Sequence, residues 1–322
     1  MEKKRHDQQQ PFIQQGRILS VNVSLRKGVP KEPRDEVVLD THGIVGDAHA
    51  GPGNRQISLL SRESIERFRH EHDLDISWGR FAENITTEAI DLSQLNLLDT
   101  LVIDETVLEV TQIGKQCHGT GCSIFQTVGR CVMPTEGIFC RVRQGGRIQP
   151  ASPITHVRRC LPVWVITLSD RVSQGVYADA TGPWIQERLH AFWKSRGWNL
   201  AIQAEAIADD PALLSHLLQK AKKDNPALVI TTGGTGVGPR DCTPDVVLAM
   251  ADKTIPGIME WIRLKYGATF PNALLSRSVA AVMGSTLVLT LPGSQKAVHE
   301  YMEELEKVFE HLVFLLQGIE MH

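Results

Sequence analysis

The sequence predicts two domains, the first rich in β-strands and the second an α/β domain with a mostly parallel sheet. The length of 322 residues fits two domains of about 150 residues each. Short apolar segments separated by Gly-rich turns occupy residues 17 to 148, which is typical of a β-rich domain. Beyond residue 160, apolar strands alternate with helices, which is the pattern of a sheet covered by helices on both faces.

The composition excludes several classes of protein. A hydrophobic fraction of 42% and a charged fraction of 22% are normal for a globular chain. The formal net charge of −3 offers no broad basic surface, so nucleic acid is not an expected partner. No apolar run reaches the roughly 18 residues that span a bilayer, and the N-terminal residues lack the apolar core of a signal peptide. We therefore expect a cytoplasmic protein without a membrane partner.

The first domain is expected at residues 16–155, after a disordered tail at residues 1–15. One helix is expected at residues 61–70, with Ser61 as its N-cap. Residues 145–160 contain two prolines and several basic residues, and we interpret them as a linker or loose domain edge. The strands predicted before that segment are 18–23, 57–60, 101–103 and 107–113.

The second domain is expected at residues 160–322. Its strands are predicted as continuous apolar runs, and its helices begin with capping residues such as Asp210. The predicted strands are 163–168, 199–207, 227–232 and 286–291, and the predicted helices are 183–194, 211–222 and a closing helix at 295–316.

The most informative segment is VITTGGTGVGPRDCTPD, residues 229–245, a glycine-rich turn between a buried strand and a helix. Thr243 is the expected N-cap of that helix. Glycines permit positive φ and close backbone approach, so the turn can hold phosphate. The segment has neither the ending of a Walker loop nor the last glycine of the dinucleotide fingerprint. Its carboxylates beside an anion-binding turn indicate a bound cation.

Four segments in order resemble the molybdopterin adenylyltransferase family, the MogA and MoaB-like domain. They are TTGGTGVGPRDCTPD, LSDRVSQGVYADATG at 168–182, IADD at 207–210 and LPGS at 291–294. The resemblance implies a molybdopterin-binding fold that assembles as a homotrimer. It also implies an enzyme that joins molybdopterin to AMP from ATP, with Mg²⁺ and with loss of pyrophosphate. Such a transfer depends on positioning and charge neutralisation, which a glycine-rich turn and carboxylates can supply.

The resemblance also implies which residues form the site. The glycine-rich turn is expected to bind phosphate, and residues that follow two other strands are expected to form the walls of a crevice. The three groups are Gly233, Gly234, Thr235 and Gly236 in the turn; Ser169, Asp170 and Arg171 after the first strand, where an ordinary capped turn is the alternative; and Pro292, Gly293 and Ser294 after the last strand.

Acidic residues complete the implied site. Asp209 and Asp241 match the family's essential acids and are expected to be catalytic, near the metal and the pterin phosphate. Asp241 and Asp245 are the expected metal ligands, although Asp245 equally fits a first-turn carboxylate that interacts with the helix dipole. Lys296 is either a charge partner or a solvated lysine, and Glu260 matches a family segment but also fits an exposed helix position.

Three segments of the first half resemble a MOSC domain, which implies a β-rich barrel. They are GIVGDAHAGPGNRQISLL at 43–60, GRFAENI at 79–85 and GRCVMPTEGIFCRVRQGG at 129–146. MOSC domains are associated with sulfuration of the molybdenum cofactor or with holding its metal through a cysteine. Cys131 is the expected functional thiol, to carry sulfur or to bind molybdenum, and a buried inert thiol is the alternative. Arg130 and Arg141 would lower its pKa if they lie near.

The other cysteines and nearby polar residues have weaker interpretations. Cys117, His118 and Cys122 suggest a structural metal, but the spacing to later cysteines is not that of a zinc ribbon. Cys117 or Cys122 is a candidate sulfur relay to Cys131. Cys140 is expected to pack in the core, and the residues considered for contact with an anionic cofactor are His49, Arg55 and Asn84.

The leading hypothesis is therefore an enzyme of molybdenum-cofactor biosynthesis, with other assembly or acceptor proteins as partners. The alternative is a non-catalytic carrier of molybdopterin, of the finished cofactor or of sulfur. The presence of both Asp209 and Asp241 argues against a carrier. A dinucleotide-dependent oxidoreductase fits the α/β pattern but lacks the glycine fingerprint.

Overall fold

The computed structural model describes residues 13–116 and 131–319. The chain divides into two compact units, with the boundary between Arg159 and Cys160. Residues 13–15 belong to the first strand, so the expected tail at residues 1–15 extended too far. None of the described helices combines the length and apolar character needed to cross a membrane.

The described part of the N-terminal unit is mainly β-structure, with two α-helices and a 3₁₀ helix at Leu92–Gln94. Its strands are β1 (Ile13–Val23), β2 (Glu32–Arg34), β3 (Val37–Asp40), β4 (Gly43–Ile44), β5 (Ile57–Ser61), β6 (Ile85–Glu88), β7 (Thr100–Ile103), β8 (Thr106–Ile113), β9 (Ile138–Gln144), β10 (Gly146–Ile148) and β11 (Pro153–Val157), and its α-helices are α1 (Arg62–His72) and α2 (Met133–Glu136).

Among the described residues of this unit, seven strands form a closed barrel in the order β11-β7-β8-β9-β5-β6-β1. Pairing of β1 with β11 closes it, and β2 extends the sheet beyond β1. The pairings are antiparallel except that of β5 with β6. A separate small sheet has the order β10-β3-β4. The expected β-rich barrel is confirmed.

Residues 145–160 are not a linker, but they do lie at a domain edge, since the boundary between the two units falls between Arg159 and Cys160. They contain β10 and β11, and β11 pairs with both β1 and β7. Pro153 is compatible with this strand because it is the first residue of β11, where a missing N–H disturbs the ladder least. Tertiary pairing therefore orders a segment whose local composition favours a loop.

Helix α1 forms as its sequence predicts. The Ser61 Oγ accepts a hydrogen bond from the Ser64 N–H at 3.1 Å, which satisfies one of the unpaired amides of the first turn. Ile65 and Phe68 are buried, so the predicted apolar face packs inward. Asp73, in the left-handed region at φ 48°, ends the helix.

In the C-terminal unit, the described residues form one sheet and its helices. The strands are β12 (Cys160–Leu168), β13 (Asn199–Ile207), β14 (Leu228–Thr232), β15 (Lys253–Thr254), β16 (Ala280–Met283) and β17 (Thr286–Leu291), and the α-helices are α3 (Asp170–Ser173), α4 (Thr181–Lys194), α5 (Pro211–Asp224), α6 (Thr243–Met250), α7 (Pro256–Gly267), α8 (Gln295–Leu305) and α9 (Phe309–Leu316).

This sheet has the order β13-β12-β14-β17-β16-β15. The first four strands pair in parallel, whereas β17 with β16 and β16 with β15 pair antiparallel. The sheet is therefore mixed, and the expected description as mostly parallel is too simple. Residues 163–168 of β12 are all buried, and because successive side chains point to opposite faces, both faces of the sheet must be covered by helices.

Two helix predictions in this unit need correction. Cys242, not Thr243, precedes α6, and Thr243 is its first residue. The Thr243 Oγ1 donates to the Gly233 carbonyl at 2.9 Å and so holds the glycine-rich turn to the helix. The expected closing helix at 295–316 is two helices, α8 and α9, interrupted at residues 306–308.

Candidate active site

A cleft of about 490 Å³ lies where the parallel strands of the C-terminal unit end. Leu168 and Thr232 are the last residues of β12 and β14, and both line it. Asp209 follows β13 and Gly293 follows β17, and these also line the cleft. Open α/β sheets form ligand crevices outside the carboxyl ends of their strands, so the topology places the predicted motifs together.

The glycine-rich turn passes close to its neighbours at two positions that require glycine. Gly233 has φ +105°, and a Cβ there would lie 2.2 Å from the Leu168 carbonyl oxygen. Gly234 has φ +61°, and its Cβ would meet the Thr243 Oγ1 at 2.5 Å. Both residues line the cleft. The turn therefore presents bare backbone to the cleft, as a phosphate-binding loop does.

Asp241 lies inside the same loop. Its Oδ2 accepts a hydrogen bond from the Gly238 N–H at 2.8 Å, and its own N–H donates to the Gly238 carbonyl at 3.1 Å. A Cβ at Gly236 would approach the same Oδ2 to 2.8 Å. The loop thus fixes the Asp241 carboxylate at the cleft wall.

Asp209 and Asp170 are joined by two reciprocal bonds between strand ends. The Asp209 N–H donates to the Asp170 Oδ1 at 3.0 Å, and the Asp170 N–H donates to the Asp209 Oδ2 at 3.3 Å. Ser169 lines the cleft, and its Oγ caps α3 by accepting from the Val172 N–H at 3.4 Å. Ser169 is both a cleft residue and an ordinary capping residue.

The acidic side chains impose a negative field on the cleft. Burial and then the charge of Asp209 raise the pKa of the neighbouring Cys242 thiol. Asp179, Asp209 and Asp241 all line the cleft. A field of this sign favours a bound cation.

Asp245 is held away from this group by an arginine. The Arg277 guanidinium donates to both of its carboxylate oxygens, at 2.8 and 3.0 Å, and this contact lowers the pKa of Asp245. The same guanidinium donates to the Gly236 and Asp241 carbonyls at 2.7 and 2.6 Å. Asp245 is absent from the cleft lining, so the expectation that it binds metal with Asp241 is not supported by its position.

The remaining predicted residues of this unit divide between the cleft and its surroundings. Pro292 accepts the Thr232 hydroxyl at 2.9 Å, and Ser294 caps α8, so both support the cleft rather than line it. The other predicted residues that do not line it are Thr235, Gly236, Arg171, Lys296 and Glu260. The Thr235 carbonyl accepts the Arg277 N–H, and the Arg171 guanidinium lies over the Tyr177 ring. Lys296 lies 3.8 Å from Glu300, and Glu260 is exposed.

A second cleft, of about 410 Å³, lies in the N-terminal unit and contains Cys131. Helix α1 contributes Arg67 and His72, and the segment around α2 contributes Cys131 and Glu136. The Arg67 guanidinium contacts the Glu136 carboxylate at 2.5 Å. Cys131 is half-buried, so its thiol is neither in the core nor fully in solvent.

Arg141 does not line this cleft. Its guanidinium donates to the Glu109 carboxylate, with Nε at 2.8 Å, and Arg143 contacts the same carboxylate. Arg141 is expected to lower the pKa of Cys131 only if it lies near, and its absence from the lining of this cleft does not support that condition. The other residues named for that cleft or for a metal, Cys117, His118, Cys122 and Arg130, lie outside the described residues.

Cys140 is fully buried on β9, and burial and then the Glu109 charge raise the pKa of its thiol, as expected of a packing residue. Asn84 is buried and serves the barrel itself: its Oδ1 accepts from the Ser58 N–H at 3.1 Å. Arg55 is exposed. Among residues 13–116 and 131–319, no group of three or more His, Cys, Asp or Glu side chains has the arrangement of a metal site.

His49 belongs to a charged group with Lys31 and Asp47, which the sequence around it does not predict. The Lys31 Nζ lies 2.6 Å from the Asp47 Oδ2, with both side chains almost fully buried, and 3.3 Å from the His49 Nδ1. Burial opposes ionisation of Asp47, but hydrogen bonds from His49 and Lys31 outweigh it and lower the pKa of Asp47. This group ties the glycine-rich loop at residues 46–53 to the barrel.

Comparison with known proteins now gives the family. A model described as "Probable molybdopterin binding domain" matches residues 164–311, and a MOSC domain model matches residues 46–155. A molybdopterin adenylyltransferase of Helicobacter pylori (strain J99) is 34% identical over 157 residues, covering 48% of this chain and 88% of that protein. The molybdopterin adenylyltransferase of Escherichia coli (strain K12) is 36% identical over 144 residues, covering 44% of this chain and 72% of that protein.

The chain belongs to the molybdopterin adenylyltransferase family and carries a MOSC domain. A molybdenum cofactor biosynthesis bifunctional protein of Synechococcus elongatus is also similar, at 35% identity over 154 residues. That match covers 48% of this chain and 47% of the Synechococcus protein, so the chain spans about half the length of this relative.

Within the molybdopterin-binding domain, sequence reasoning missed two residues that line the cleft, Asp179 and Arg240, and one that supports it, Arg277. Asp179 accepts the Thr167 hydroxyl at 2.6 Å and the Gly182 N–H at 2.9 Å, so it joins β12 to the start of α4. Its position in ADATG, before a helix, is a capping signal that would have identified it. Arg240 lines the cleft and pairs with Asp170. Arg277 lies far from the motif in sequence, and no local signal marks it.

Proposed function

We propose that the molybdopterin-binding domain adenylylates molybdopterin, using ATP and Mg²⁺ and releasing pyrophosphate. We further propose that the MOSC domain binds or sulfurates the resulting cofactor through Cys131, and that the product passes to other assembly or acceptor proteins. The first proposal depends most on one observation: the glycine-rich turn and the carboxylates of Asp209 and Asp241 line a single cleft. We infer the substrate, molybdopterin, from the similar proteins that are named molybdopterin adenylyltransferase.

The residues of the cleft fit a magnesium ion. Mg²⁺ is usually bound by one or two carboxylates together with substrate phosphates, and carboxylate oxygens are the hard ligands that it prefers. Asp209 and Asp241 are the residues that would hold it, because Asp245 is engaged by Arg277. A magnesium ion held there would neutralise phosphate charge during transfer.

The remaining cleft residues act by positioning. Gly233 and Gly234 allow a phosphate to approach the backbone, because any side chain there would collide with Leu168 or Thr243. The Gly238 N–H holds the Asp241 carboxylate in place before substrate arrives. A preorganised site of this kind lowers the barrier without moving when charge develops.

The proposal for the MOSC domain depends on the accessibility of Cys131. A thiol must reach its substrate either to carry sulfur or to bind a metal, and Cys131 lines a cleft whereas Cys140 is buried in the barrel.

The first test follows adenylylated pterin and pyrophosphate formed from purified molybdopterin, ATP and Mg²⁺. Wild type is expected to form both products, and Asp241→Asn to be slower by at least roughly a hundredfold, since a positioned charge is lost. Asn keeps an oxygen for the Gly238 N–H, so the loop should keep its shape. Asp224→Asn, at the end of α5 and outside the cleft, is the matched control.

Three outcomes distinguish the alternatives. Product from wild type and from the control, but not from Asp241→Asn, supports the enzyme. Tight binding of molybdopterin without product by wild type indicates a carrier instead. Equal rates for Asp241→Asn and wild type contradict the assignment of Asp241.

A further inference from the structure

Arg240 occupies the rim of the cleft and makes an ion pair with Asp170. Its side chain is 75% exposed, whereas that of Asp170 is 26% exposed. Asp170 is fixed from behind, because its Oδ1 accepts the Asp209 N–H and its own N–H donates to Asp209. The carboxylate is therefore the fixed partner, and the arginine is the one able to move.

The charges of the cleft make Arg240 distinctive. Among the described residues that line the cleft, it is the only cationic side chain, facing the acids Asp179, Asp209 and Asp241. Asp179 is already satisfied by Thr167 and by backbone amides of α4. A phosphate group entering this cleft therefore meets one arginine, which is held by a carboxylate.

We propose that Arg240 exchanges partners, leaving Asp170 to bind a phosphate group of the incoming substrate. Asp170 then acts as a built-in competitor, so that a ligand binds Arg240 only when its anionic group binds the guanidinium more strongly than the Asp170 carboxylate does. This inference rests on the proposed function, since it assumes that phosphate-bearing ligands enter the cleft. It assigns Arg240 a binding role and Asp170 a specificity role.

The energetics favour such an exchange. An exposed ion pair between side chains is worth only about 0 to 1 kcal/mol, so leaving Asp170 costs little. A guanidinium binds phosphate through two parallel charge-assisted hydrogen bonds, which are stronger than the bonds of an ordinary surface pair. The exposed side of Arg240 leaves room for the movement without disturbing the fold.

The test measures equilibrium binding by titration calorimetry on the full chain, in EDTA so that metal does not contribute. The ligands are ATP, molybdopterin and adenosine, the last without a phosphate. Arg240→Ala is expected to weaken binding of a phosphate-bearing ligand by at least about tenfold. Adenosine binding should not change. Arg188→Ala, which removes an exposed arginine paired with Glu306 away from the cleft, is the matched control.

The competitor role gives a second, sharper expectation. Asp170→Asn keeps an oxygen for the Asp209 N–H but releases Arg240, so phosphate-bearing ligands should bind about two- to fivefold more tightly. That gain should vanish in the Arg240→Ala/Asp170→Asn double variant, because there is no arginine left to release. Circular dichroism would verify that each variant is folded.

The outcomes separate this inference from the proposed function. Weaker binding of ATP alone identifies the nucleotide as the source of the phosphate, and weaker binding of molybdopterin alone identifies the pterin; either supports the exchange. Unchanged affinity of Arg240→Ala, or a gain that persists in the double variant, overturns it even if wild type forms product. Failure of wild type to bind either ligand in EDTA overturns the exchange, which requires no metal, whereas failure of wild type to form product with Mg²⁺ contradicts the proposed function.

Discussion

Burial of a carboxyl group gives the barrel a specific pH dependence. Glu83 is fully buried, and although it accepts the Gly79 and Phe81 N–H groups, burial raises its pKa to about 7. The unfolded value is near 4.5, so the folded state binds more protons between these two values. Stability should therefore fall as pH rises from 4.5 to 7 and then level off.

We predict that Glu83→Gln removes this slope. The wild-type loss across the window is on the order of 3 kcal/mol in the free energy of unfolding, because the pKa of Glu83 is raised from 4.5 to about 7 on folding. Thermal melting between pH 5 and pH 8 measures the difference in slope whatever the absolute stability of the variant. Glu260→Gln, at an exposed position, is the control, and a wild-type curve parallel to that of Glu83→Gln would rule out the assignment.

For individual residues, sequence reasoning identified acids of the cleft but not the side chains that pair with them. Asp209 and Asp241 both line the cleft, as expected, because each directly follows or belongs to a recognisable motif. Asp245 could not be judged from its motif, since Arg277 comes from a distant segment and engages it only after folding. Long-range ion pairs leave no local pattern in a sequence.

Among the elements, the glycine-rich turn permits a test of its backbone. Gly234→Ala places a Cβ at 2.5 Å from the Thr243 Oγ1 in a residue with φ +61°, so the loop must shift. We predict at least about a tenfold loss of ATP or molybdopterin binding, since a strained left-handed residue costs on the order of 1 to 2 kcal/mol and misplaces the loop.

Gly257→Ala is the control for that substitution. Gly257 lies in α7, and a Cβ there has no neighbour within 4 Å. Alanine should leave binding unchanged and stabilise the helix slightly. Calorimetry of both variants, with melting curves for each, distinguishes a local effect on the turn from loss of the domain. Equal binding by Gly234→Ala and wild type would show that the turn is not a ligand loop.

Elements with a strong local pattern were predicted well, and those that depend on neighbours were not. The strands 199–207 and 286–291 agree with β13 and β17, because each is a continuous apolar or alternating run. Strand β11 was mistaken for a linker, since its order comes from pairing with β1 and β7. The break between α8 and α9 was missed because the amphipathic pattern continues across it.

At the scale of the whole molecule, one exposed apolar surface is a candidate contact between copies of the chain. The residues that form it in the molybdopterin-binding domain are each more than half exposed: Trp261 and Leu264 on α7, and Phe270, Leu274 and Leu275 just after it. Exposed apolar patches on soluble domains commonly mark contacts with other protein surfaces. We propose that this surface forms the contacts of the homotrimer that the family resemblance implies.

If the proposed homotrimer forms through this surface, Leu264→Glu is predicted to give a monomer, because it places a charge in that apolar surface. Sedimentation velocity of the full chain measures the change. Leu213→Glu, at a partly exposed position on α5, should leave the trimer intact. A wild-type monomer would refute the assembly, and a trimeric Leu264→Glu would mean that other residues form the contact.

The closure of the barrel has a consequence for synthesis of the chain. Its first strand pairs with its last, with residue 13 opposite residue 157, and the next domain begins at Cys160. One edge of β1 therefore stays unpaired until translation has passed residue 157. Unpaired strand edges are prone to join other chains. The MOSC domain should be most exposed to misassembly during translation, until β11 has left the ribosome and can pair with β1.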